Sequence, residues 1–155
     1  MPLTEGAMLP DLTLTASDGT PLPLKNFIGA PLVLYFYPKD DTPGCTREAQ
    51  DFSAEAAAFA DAGAKVVGVS KDPPAKHQKF SAKYDLKVAL ATDTDGAVME
   101  AFGAWVEKSM YGKKYMGIER STYLFDASGK LVRAWPKVKV PGHAAEVLSA
   151  VQALG

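Results

Sequence analysis

The chain has 155 residues, of which 47% are hydrophobic and 23% are charged, and its formal net charge is −1. This length and composition predict one soluble globular domain over residues 1–155 that buries about 68–70% of the surface of its unfolded chain. The near-neutral charge argues against a nucleic-acid or anionic-membrane partner, and no apolar run approaches the roughly 18 residues that a membrane-spanning helix needs.

The first residues lack a basic segment followed by an apolar core, so no signal peptide is expected. Cys45 is the only cysteine, which excludes an intramolecular disulfide and a metal site built from several thiolates. A free reactive thiol fits a reducing cytoplasm. The sequence has no glycine pattern of the nucleotide-binding kind, and no cofactor is expected.

The first predicted element is a β-hairpin. Residues 12–15 alternate between apolar and polar side chains, an Asp-Gly pair forms the turn, and residues 22–24 return. Pro21 and Pro23 would remove hydrogen bonds from a central strand, which places this hairpin at the edge of a sheet.

Strands then alternate with helices along the chain. Apolar runs and capping residues predict, in chain order, a strand at 32–37, a helix at about 43–62 closed by Gly63, a strand at 65–69, a helix at about 73–84, a strand at 88–91, a short helix at 94–102, strands at 121–125 and 130–135, and a helix at 143–154. This order predicts an α/β fold with a mostly parallel sheet that the last hairpin makes mixed. The stretch 105–119 receives no element, and a loop of that length often packs over a site.

The segment 35–48 organises the chain, because it joins an apolar strand to a well-marked helix start. Thr42 is a good N-cap, and Pro43 then stands at the first helical position, where its missing N–H costs little. Cys45 therefore falls in the first turn, where unpaired backbone N–H groups and the positive end of the helix dipole favour a thiolate. Since the loop follows the carboxyl end of a strand, the sulfur is expected at the mouth of the sheet, where open α/β sheets bind and react.

Side chains near Cys45 allow more than one interpretation. Gly44 leaves room for a small substrate beside the sulfur. The Thr42 hydroxyl either caps the helix only or also binds a substrate oxygen, and Pro38 either walls the pocket or ends the strand. Arg47, two residues on, points away from the sulfur in a helix and is expected in solvent.

Other polar residues give weaker signals. His77 and His143 lie in predicted helices, have no partner at a spacing typical of a Cys–His pair, and are expected at the surface. Asp93 and Asp95 resemble the start of a calcium loop, but no glutamate closes it, so a turn and a helix cap are expected instead. Arg120 directly precedes a strand, and its local spacing leaves surface and site both open.

The unassigned stretch contains three lysines and two methionines. The lysines are expected to be solvated loop charges: Lys108, Lys113 and Lys114. Met110 and Met116 are expected to be packing residues.

The segment 36–49, Phe-Tyr-Pro-Lys-Asp-Asp-Thr-Pro-Gly-Cys-Thr-Arg-Glu-Ala, resembles the active-site segment of peroxiredoxins, most closely the bacterioferritin comigratory protein or peroxiredoxin Q subfamily. Pro38, Thr42 and Cys45 meet the signature Pro-x-x-x-Thr-x-x-Cys, and Glu48 also matches. The segment 110–126 is similar to a later block of the same family, whose arginine corresponds to Arg120.

The resemblance implies a thioredoxin-like fold over nearly the whole chain and thiol-dependent reduction of hydrogen peroxide and organic hydroperoxides. The Cys45 thiolate would attack the terminal peroxide oxygen and become a sulfenic acid. Arg120, the Thr42 hydroxyl and the N–H groups of the first turn would stabilise the leaving oxygen. Glu48 would orient the arginine, although its own charge slightly opposes a thiolate.

One position departs from the pattern. Many members of the subfamily carry a resolving cysteine five residues after the reactive one, and here that residue is Gln50. The resemblance therefore implies a one-cysteine cycle in which an external thiol (thioredoxin, glutaredoxin with glutathione, or a small thiol) reduces the sulfenic acid. Because subfamily members are often monomeric, a monomer or weak homodimer is expected.

Three alternatives remain open at this point. Cys45 can serve a peroxide sensor that passes its oxidation to a partner thiol without repeated turnover. The same fold can carry a glutathione-dependent transferase or reductase. The chain can also be a binding or holdase module with an incidental cysteine, in which case Cys45→Ser leaves its function intact.

Overall fold

The central strands form where β-branched and aromatic residues run together, and every α-helix except α2 begins at a proline or directly after a glycine. The computed structural model describes residues 3–154. Its strands are β1 (Thr13–Ala16), β2 (Pro21–Pro23), β3 (Leu32–Phe36), β4 (Lys65–Ser70), β5 (Ala89–Thr92), β6 (Trp105–Met110), β7 (Lys113–Ile118), β8 (Ser121–Phe125) and β9 (Leu131–Trp135). Its α-helices are α1 (Pro43–Ala54), α2 (Ala56–Asp61), α3 (Pro74–Tyr84), α4 (Ala97–Phe102) and α5 (His143–Gln152).

Seven of these strands form one mixed sheet in the order β2-β1-β5-β4-β3-β8-β9. The pairs β3–β4 and β4–β5 are parallel, whereas β1–β2, β1–β5, β3–β8 and β8–β9 are antiparallel. The N-terminal hairpin lies at one edge, as its prolines predict. The expectation of a mostly parallel sheet is wrong, because β1 joins β5 in the antiparallel sense and β8 pairs with the central strand.

The central strand β3 is buried along its whole length. Its alternate side chains enter two clusters on opposite faces of the sheet, with Leu34 and Phe36 in one and Val33 and Tyr35 in the other. The second cluster also holds residues of α1, α2, α3 and α5, whereas the first holds residues of α4. A Cβ on Gly68, which pairs with Tyr35 across β3 and β4, would lie 2.6 Å from the tyrosine ring. Glycine is therefore required under Tyr35.

The long helix expected at 43–62 is two helices. It breaks at Glu55, whose backbone N–H turns to the carbonyls of Phe52 and Ser53 in a tighter turn. The helix resumes when the N–H of Phe59 donates to the carbonyl of Glu55 at 3.0 Å. Gly63, with φ 77°, follows the second helix in the left-handed conformation that the sequence assigned to its end.

The stretch expected to be a loop at 105–119 is a β-hairpin. Strands β6 and β7 pair from Trp105↔Ile118 to Met110↔Lys113 and form a separate two-stranded sheet. Met110 and Met116 were expected to be packing residues, but this prediction is wrong, because they are 56% and 50% exposed. Among the described residues, no helix is long and apolar enough to cross a membrane.

Candidate active site

Cys45 lies in the first turn of α1, as the capping signals predict. Thr42 is the N-cap, Pro43 begins the helix, and Cys45 is only 2% exposed. The Thr42 hydroxyl, however, donates to the carbonyl of Lys39 at 2.8 Å and makes no capping bond to a helix N–H. Its proton thus holds the loop that precedes the helix, and its oxygen remains able to accept a hydrogen bond.

Arg120 provides the cation beside the sulfur. Its Nη2 donates to Sγ of Cys45 at 3.3 Å, and its Nη1 donates to Oε1 of Glu48 at 2.6 Å. The contact forms because Ser121, the next residue, pairs with Phe36 at the carboxyl end of β3. Antiparallel pairing therefore brings the start of β8 to the edge of the sheet where α1 begins.

Glu48 is buried beneath this arginine, at 1% exposure. Burial raises the pKa of Glu48 to about 7, although the Arg120 charge and hydrogen bond act in the opposite direction. Burial also opposes the charge of Arg120, but Glu48 and Cys45 raise the pKa of the guanidinium. The second carboxyl oxygen, Oε2, has no hydrogen-bond partner within the described part of the chain. One guanidinium thus bridges a buried carboxyl and the sulfur of Cys45.

Gly44 has a packing reason as well as the expected steric one. A Cβ at this position would lie 3.2 Å from Nη2 of Arg120, which is a tight contact. The absent side chain therefore makes room for the guanidinium.

The other residues named from the sequence lie further out. Pro38 is exposed and follows the end of β3, in agreement with a strand terminator. Arg47 is solvated as expected and pairs with Asp51 at 3.2 Å on α1. Gln50, five residues after Cys45, is exposed on the same helix.

His77 was expected at the surface, but its side chain is completely buried. Its Nδ1 lies 2.7 Å from Oδ2 of Asp40, and its Nε2 lies 3.1 Å from the carbonyl of Ala91. A carbonyl only accepts, so Nε2 carries a proton. The Tyr37 hydroxyl donates to the other oxygen of Asp40 at 2.5 Å. The loop between Pro38 and Thr42 is thereby tied to α3 through Asp40.

The neighbouring carboxylate forms a second tie to α3. Asp41 has φ 60°, which is strained for a residue other than glycine. Its side chain accepts hydrogen bonds from Tyr84 at 2.6 Å and Lys83 at 2.8 Å, both on α3. Sequence analysis missed both ties, and the only local sign of them was two adjacent aspartates in a loop.

His143 is also buried, at 5% exposure, which corrects the surface expectation. It begins α5, where its Nε2 lies 2.8 Å from the Thr122 hydroxyl. Burial lowers the pKa of His143 to about 4, so the imidazole is neutral at pH 7. Asp93, in contrast, acts as the predicted helix cap, because its carboxylate accepts from the N–H groups of Val98 and Met99.

This arrangement suits a nucleophilic sulfur that reacts with an electrophile whose leaving atom gains negative charge. Arg120 donates a charge-assisted hydrogen bond to the sulfur, which stabilises its anionic form. Among the described residues, no group of three or more His, Cys, Asp or Glu side chains is placed to hold a metal ion.

Comparisons with known proteins give matches over most of the chain. The model of the AhpC/TSA family matches residues 6–134. Peroxiredoxin Bcp of Xanthomonas campestris is 50% identical over 143 residues, which are 92% of this chain and 89% of that protein. Peroxiredoxin Bcp of Bacillus subtilis is 45% identical over 152 residues, covering 98% of this chain and 97% of that protein.

Solved structures also match most of this chain. The bacterioferritin comigratory protein of Xanthomonas campestris, studied for alkyl peroxide reduction as a trapped intermediate and in ligand complexes, superposes with a TM-score of 0.90. It is 48% identical, and the match covers 97% of this chain and 99% of that one. A cysteine-to-serine mutant of Xanthomonas campestris peroxiredoxin Q matches with a TM-score of 0.91 and 48% identity, over 98% of this chain and 100% of that one.

Proposed function

The chain belongs to the AhpC/TSA family and, within it, to the Bcp or peroxiredoxin Q enzymes, and we propose that it reduces hydrogen peroxide and organic hydroperoxides by a one-cysteine cycle. As a peroxiredoxin it is a thiol-dependent peroxidase with a thioredoxin-like fold. The observation that carries the proposal is the donation from Nη2 of Arg120 to Sγ of Cys45 at 3.3 Å.

In the first half of the cycle, the Cys45 thiolate attacks the terminal oxygen of the peroxide. An S–O bond forms as the O–O bond breaks, and the sulfur is oxidised to a sulfenic acid. The leaving oxygen takes a proton and departs as water or an alcohol. Alkyl peroxide reduction by the Xanthomonas campestris relative supports the inclusion of organic hydroperoxides.

Arg120 and Thr42 act on the reacting atoms, and the other proposed residues shape the site around them. Arg120 holds the thiolate and donates to the oxygen on which negative charge develops, with the N–H groups of the first turn beside it. Thr42 accepts from the peroxide O–H, because its own proton is engaged by a backbone carbonyl. Gly44 keeps the approach open, Pro38 walls the entrance, and Glu48 positions the arginine.

In the second half of the cycle, an external thiol attacks the sulfenic sulfur, and water leaves as a mixed disulfide forms. A second thiol then releases Cys45. The chain holds one cysteine, so no internal thiol can take this part. Structures of two different cysteine-to-serine mutants indicate two cysteines in the Xanthomonas protein. Their numbers, 48 and 84, differ by 36. The residue 36 positions after Cys45 in this chain is Ser81, on α3, which has no thiol.

The thiol donor is thioredoxin, glutaredoxin with glutathione, or a small thiol. We place the enzyme in the cytoplasm, as one domain that is a monomer or a weak homodimer. The single free thiol supports a reducing compartment.

A peroxide sensor is the second candidate function, because it shares the step in which peroxide oxidises Cys45. The sulfur is only 2% exposed, so slow access of a reducing thiol would let the oxidised form persist. A sensor reacts once and passes its oxidation on, so turnover separates the two functions.

The test is mass spectrometry of Cys45 after one equivalent of hydrogen peroxide, followed by addition of thioredoxin or glutathione and excess peroxide. Rapid formation of the sulfenic acid and continuous turnover are expected, and the better thiol identifies the reductant. Rapid oxidation without turnover by any thiol would favour the sensor. A thiol that stays reduced for minutes would contradict both functions.

A further inference from the structure

The β6–β7 hairpin ends in an exposed apolar surface, residues 110–116, which we call the hairpin tip. Seven large hydrophobic side chains are exposed in the described part of the chain, and four of them lie here: Met110, Tyr111, Tyr115 and Met116. No strand among the described residues pairs with either edge of this hairpin. Clusters of exposed apolar side chains in a soluble protein mark interaction sites.

Tyr111 occupies a backbone conformation that disfavours its side chain. Its φ is 51° and that of Gly112 is 78°, so both central residues of this two-residue turn are left-handed. Asn-Gly is the common pair in such a turn, and a bulky residue there costs about 1 kcal/mol or more. Because Tyr111 is 98% exposed, no contact within the chain offsets this cost. The strained aromatic residue is best explained by a contact outside the chain.

Charge around the tip indicates the kind of partner. Three lysines lie on the hairpin, at Lys108, Lys113 and Lys114, against the single acid Glu107, which pairs with Lys114 at 3.6 Å. In a two-fold contact between copies, the same lysines would face one another, and lysines on an edge strand oppose strand addition. The excess positive charge therefore favours a different protein, one with acidic groups around an apolar contact.

The hairpin leaves the sheet at the edge where the reactive sulfur lies. The N–H of Glu119 donates to the carbonyl of Ala104 at 2.7 Å and closes the base of the hairpin. The next residue is Arg120, whose guanidinium contacts Cys45. A protein that presents a thiol to this sulfur therefore approaches beside the hairpin.

We propose that the hairpin tip docks the acidic protein thiol that reduces oxidised Cys45. Tyr111 and Met116 form its apolar contact, and the lysines select the acidic partner. This inference rests on the proposed function, because it requires an external protein reductant.

The test compares a protein reductant with a small thiol. Tyr111→Asn combined with Met116→Ser removes the apolar contact, and asparagine suits the left-handed turn, so the hairpin keeps its fold. Lys113→Glu combined with Lys114→Glu reverses the charge. Met8→Ser combined with Ile28→Ser is the control, since these side chains are 54% and 50% exposed, close to the 50% of Met116, and lie together near Gly129, outside the hairpin.

Peroxide turnover would be measured with thioredoxin, with glutaredoxin and glutathione, and with dithiothreitol. In both tip variants, the KM for the preferred protein reductant should rise at least tenfold, while turnover with dithiothreitol and single-turnover oxidation of Cys45 stay unchanged. The control variant should behave as the wild type. Raising the salt concentration should weaken the wild-type interaction and have less effect on the charge-reversed variant.

Several results would overturn the inference. Unchanged KM values in the tip variants would show that the surface does not dock the reductant. Wild-type turnover with dithiothreitol but with neither protein would remove the proposed occupant. A change in sedimentation from dimer to monomer in the tip variants would assign the surface to self-association. If no thiol supported peroxide turnover by the wild type, the one-cysteine peroxidase cycle itself would be overturned.

Discussion

Nη2 of Arg120 lies 3.3 Å from Sγ of Cys45, although 75 positions separate the two residues in the chain. The antiparallel pairing of β3 with β8 creates this contact, because it returns the start of β8 to the end of β3. The sheet therefore fixes the backbone next to Arg120, and Glu48 holds its guanidinium. A rigid cation beside a nucleophile needs little reorganisation when charge develops in the transition state.

Arg120→Ala should lower the second-order rate constant for hydrogen peroxide by more than tenfold, since it removes a charge-assisted donor from the sulfur and the leaving oxygen. Arg47→Ala, two residues from Cys45 but exposed and paired with Asp51, is the control and should react at nearly the wild-type rate. Stopped-flow kinetics and circular dichroism would measure rate and fold together. Equal rates for the two variants would contradict the role of Arg120.

Gly44→Ala should separate stability from activity. Alanine favours a helix over glycine by up to about 1 kcal/mol, so α1 should not lose stability. The new Cβ would meet Nη2 of Arg120 at 3.2 Å and displace it from the sulfur. We expect a several-fold slower reaction with peroxide at an unchanged or higher melting temperature. A wild-type rate would show that the guanidinium adapts to the methyl group.

Two buried groups should give opposite pH dependences of stability. The folded pKa of Glu48 is raised from 4.5 to about 7 by burial, so its favourable contribution is complete below pH 4.5 and is lost as the pH rises towards 7. The loss is about 3 kcal/mol. The folded pKa of His143 is lowered from 6.5 to about 4 by burial, so its contribution is present above pH 6.5 and is lost as the pH falls towards 4.

In the wild type, the effects of Glu48 and His143 on the pH dependence of stability oppose each other between pH 4.5 and 6.5. Single substitutions should reveal each effect separately. Glu48→Gln should make the free energy of unfolding rise more steeply with pH in this window. His143→Gln should make it fall instead. Urea denaturation at several pH values would measure both, with Glu55→Gln, a substitution in the half-buried turn between α1 and α2, as a control. Parallel pH profiles for all four proteins would contradict the assignment.

Removal of His77 should destabilise the fold strongly. His77→Ala removes one of the two side chains that hydrogen-bond the buried Asp40 side chain and leaves only Tyr37, and loss of one member of a buried pair typically costs about 3–5 kcal/mol. Asp40→Asn in the same background should recover part of this loss, because it removes the uncompensated charge. Thermal unfolding of the single and double variants would show it. Additive losses would indicate that the two side chains are not coupled.

Excess peroxide should inactivate the enzyme in the absence of a thiol. With no second cysteine to trap the sulfenic acid, a further peroxide converts Cys45 to the sulfinic acid, which external thiols do not reduce. Intact-mass spectrometry should show the gain of two oxygen atoms in step with the loss of activity. Full recovery of activity with dithiothreitol after long exposure would contradict this prediction.

Local signals were sufficient for much of the fold. The capping residues at Thr42 and Pro43 correctly indicated the start of α1, and the apolar run at 32–37 indicated the central strand. These predictions succeeded because periodicity and capping act over a few residues. The prediction of a mostly parallel sheet failed because strand pairing is set by contacts between residues far apart in sequence, such as Thr15↔Thr92.

The site was predictable to different degrees. The first-turn position of Cys45 follows from local sequence, whereas Arg120 came from family resemblance, because nothing near it in sequence points to the sulfur. His77 and Asp40 were missed for the same reason, since 37 positions separate them. A histidine that completes a buried pair has the same local sequence context as one in solvent.

The break at Glu55 has a further consequence for how the sulfur becomes accessible. Because the helix is interrupted there, we expect α1, which carries the sulfur, to open locally while α2 keeps Phe59 in the core. In a continuous helix, such an opening would extend further along the chain. The interruption is thus expected to confine a local opening to the twelve residues of α1, Pro43–Ala54.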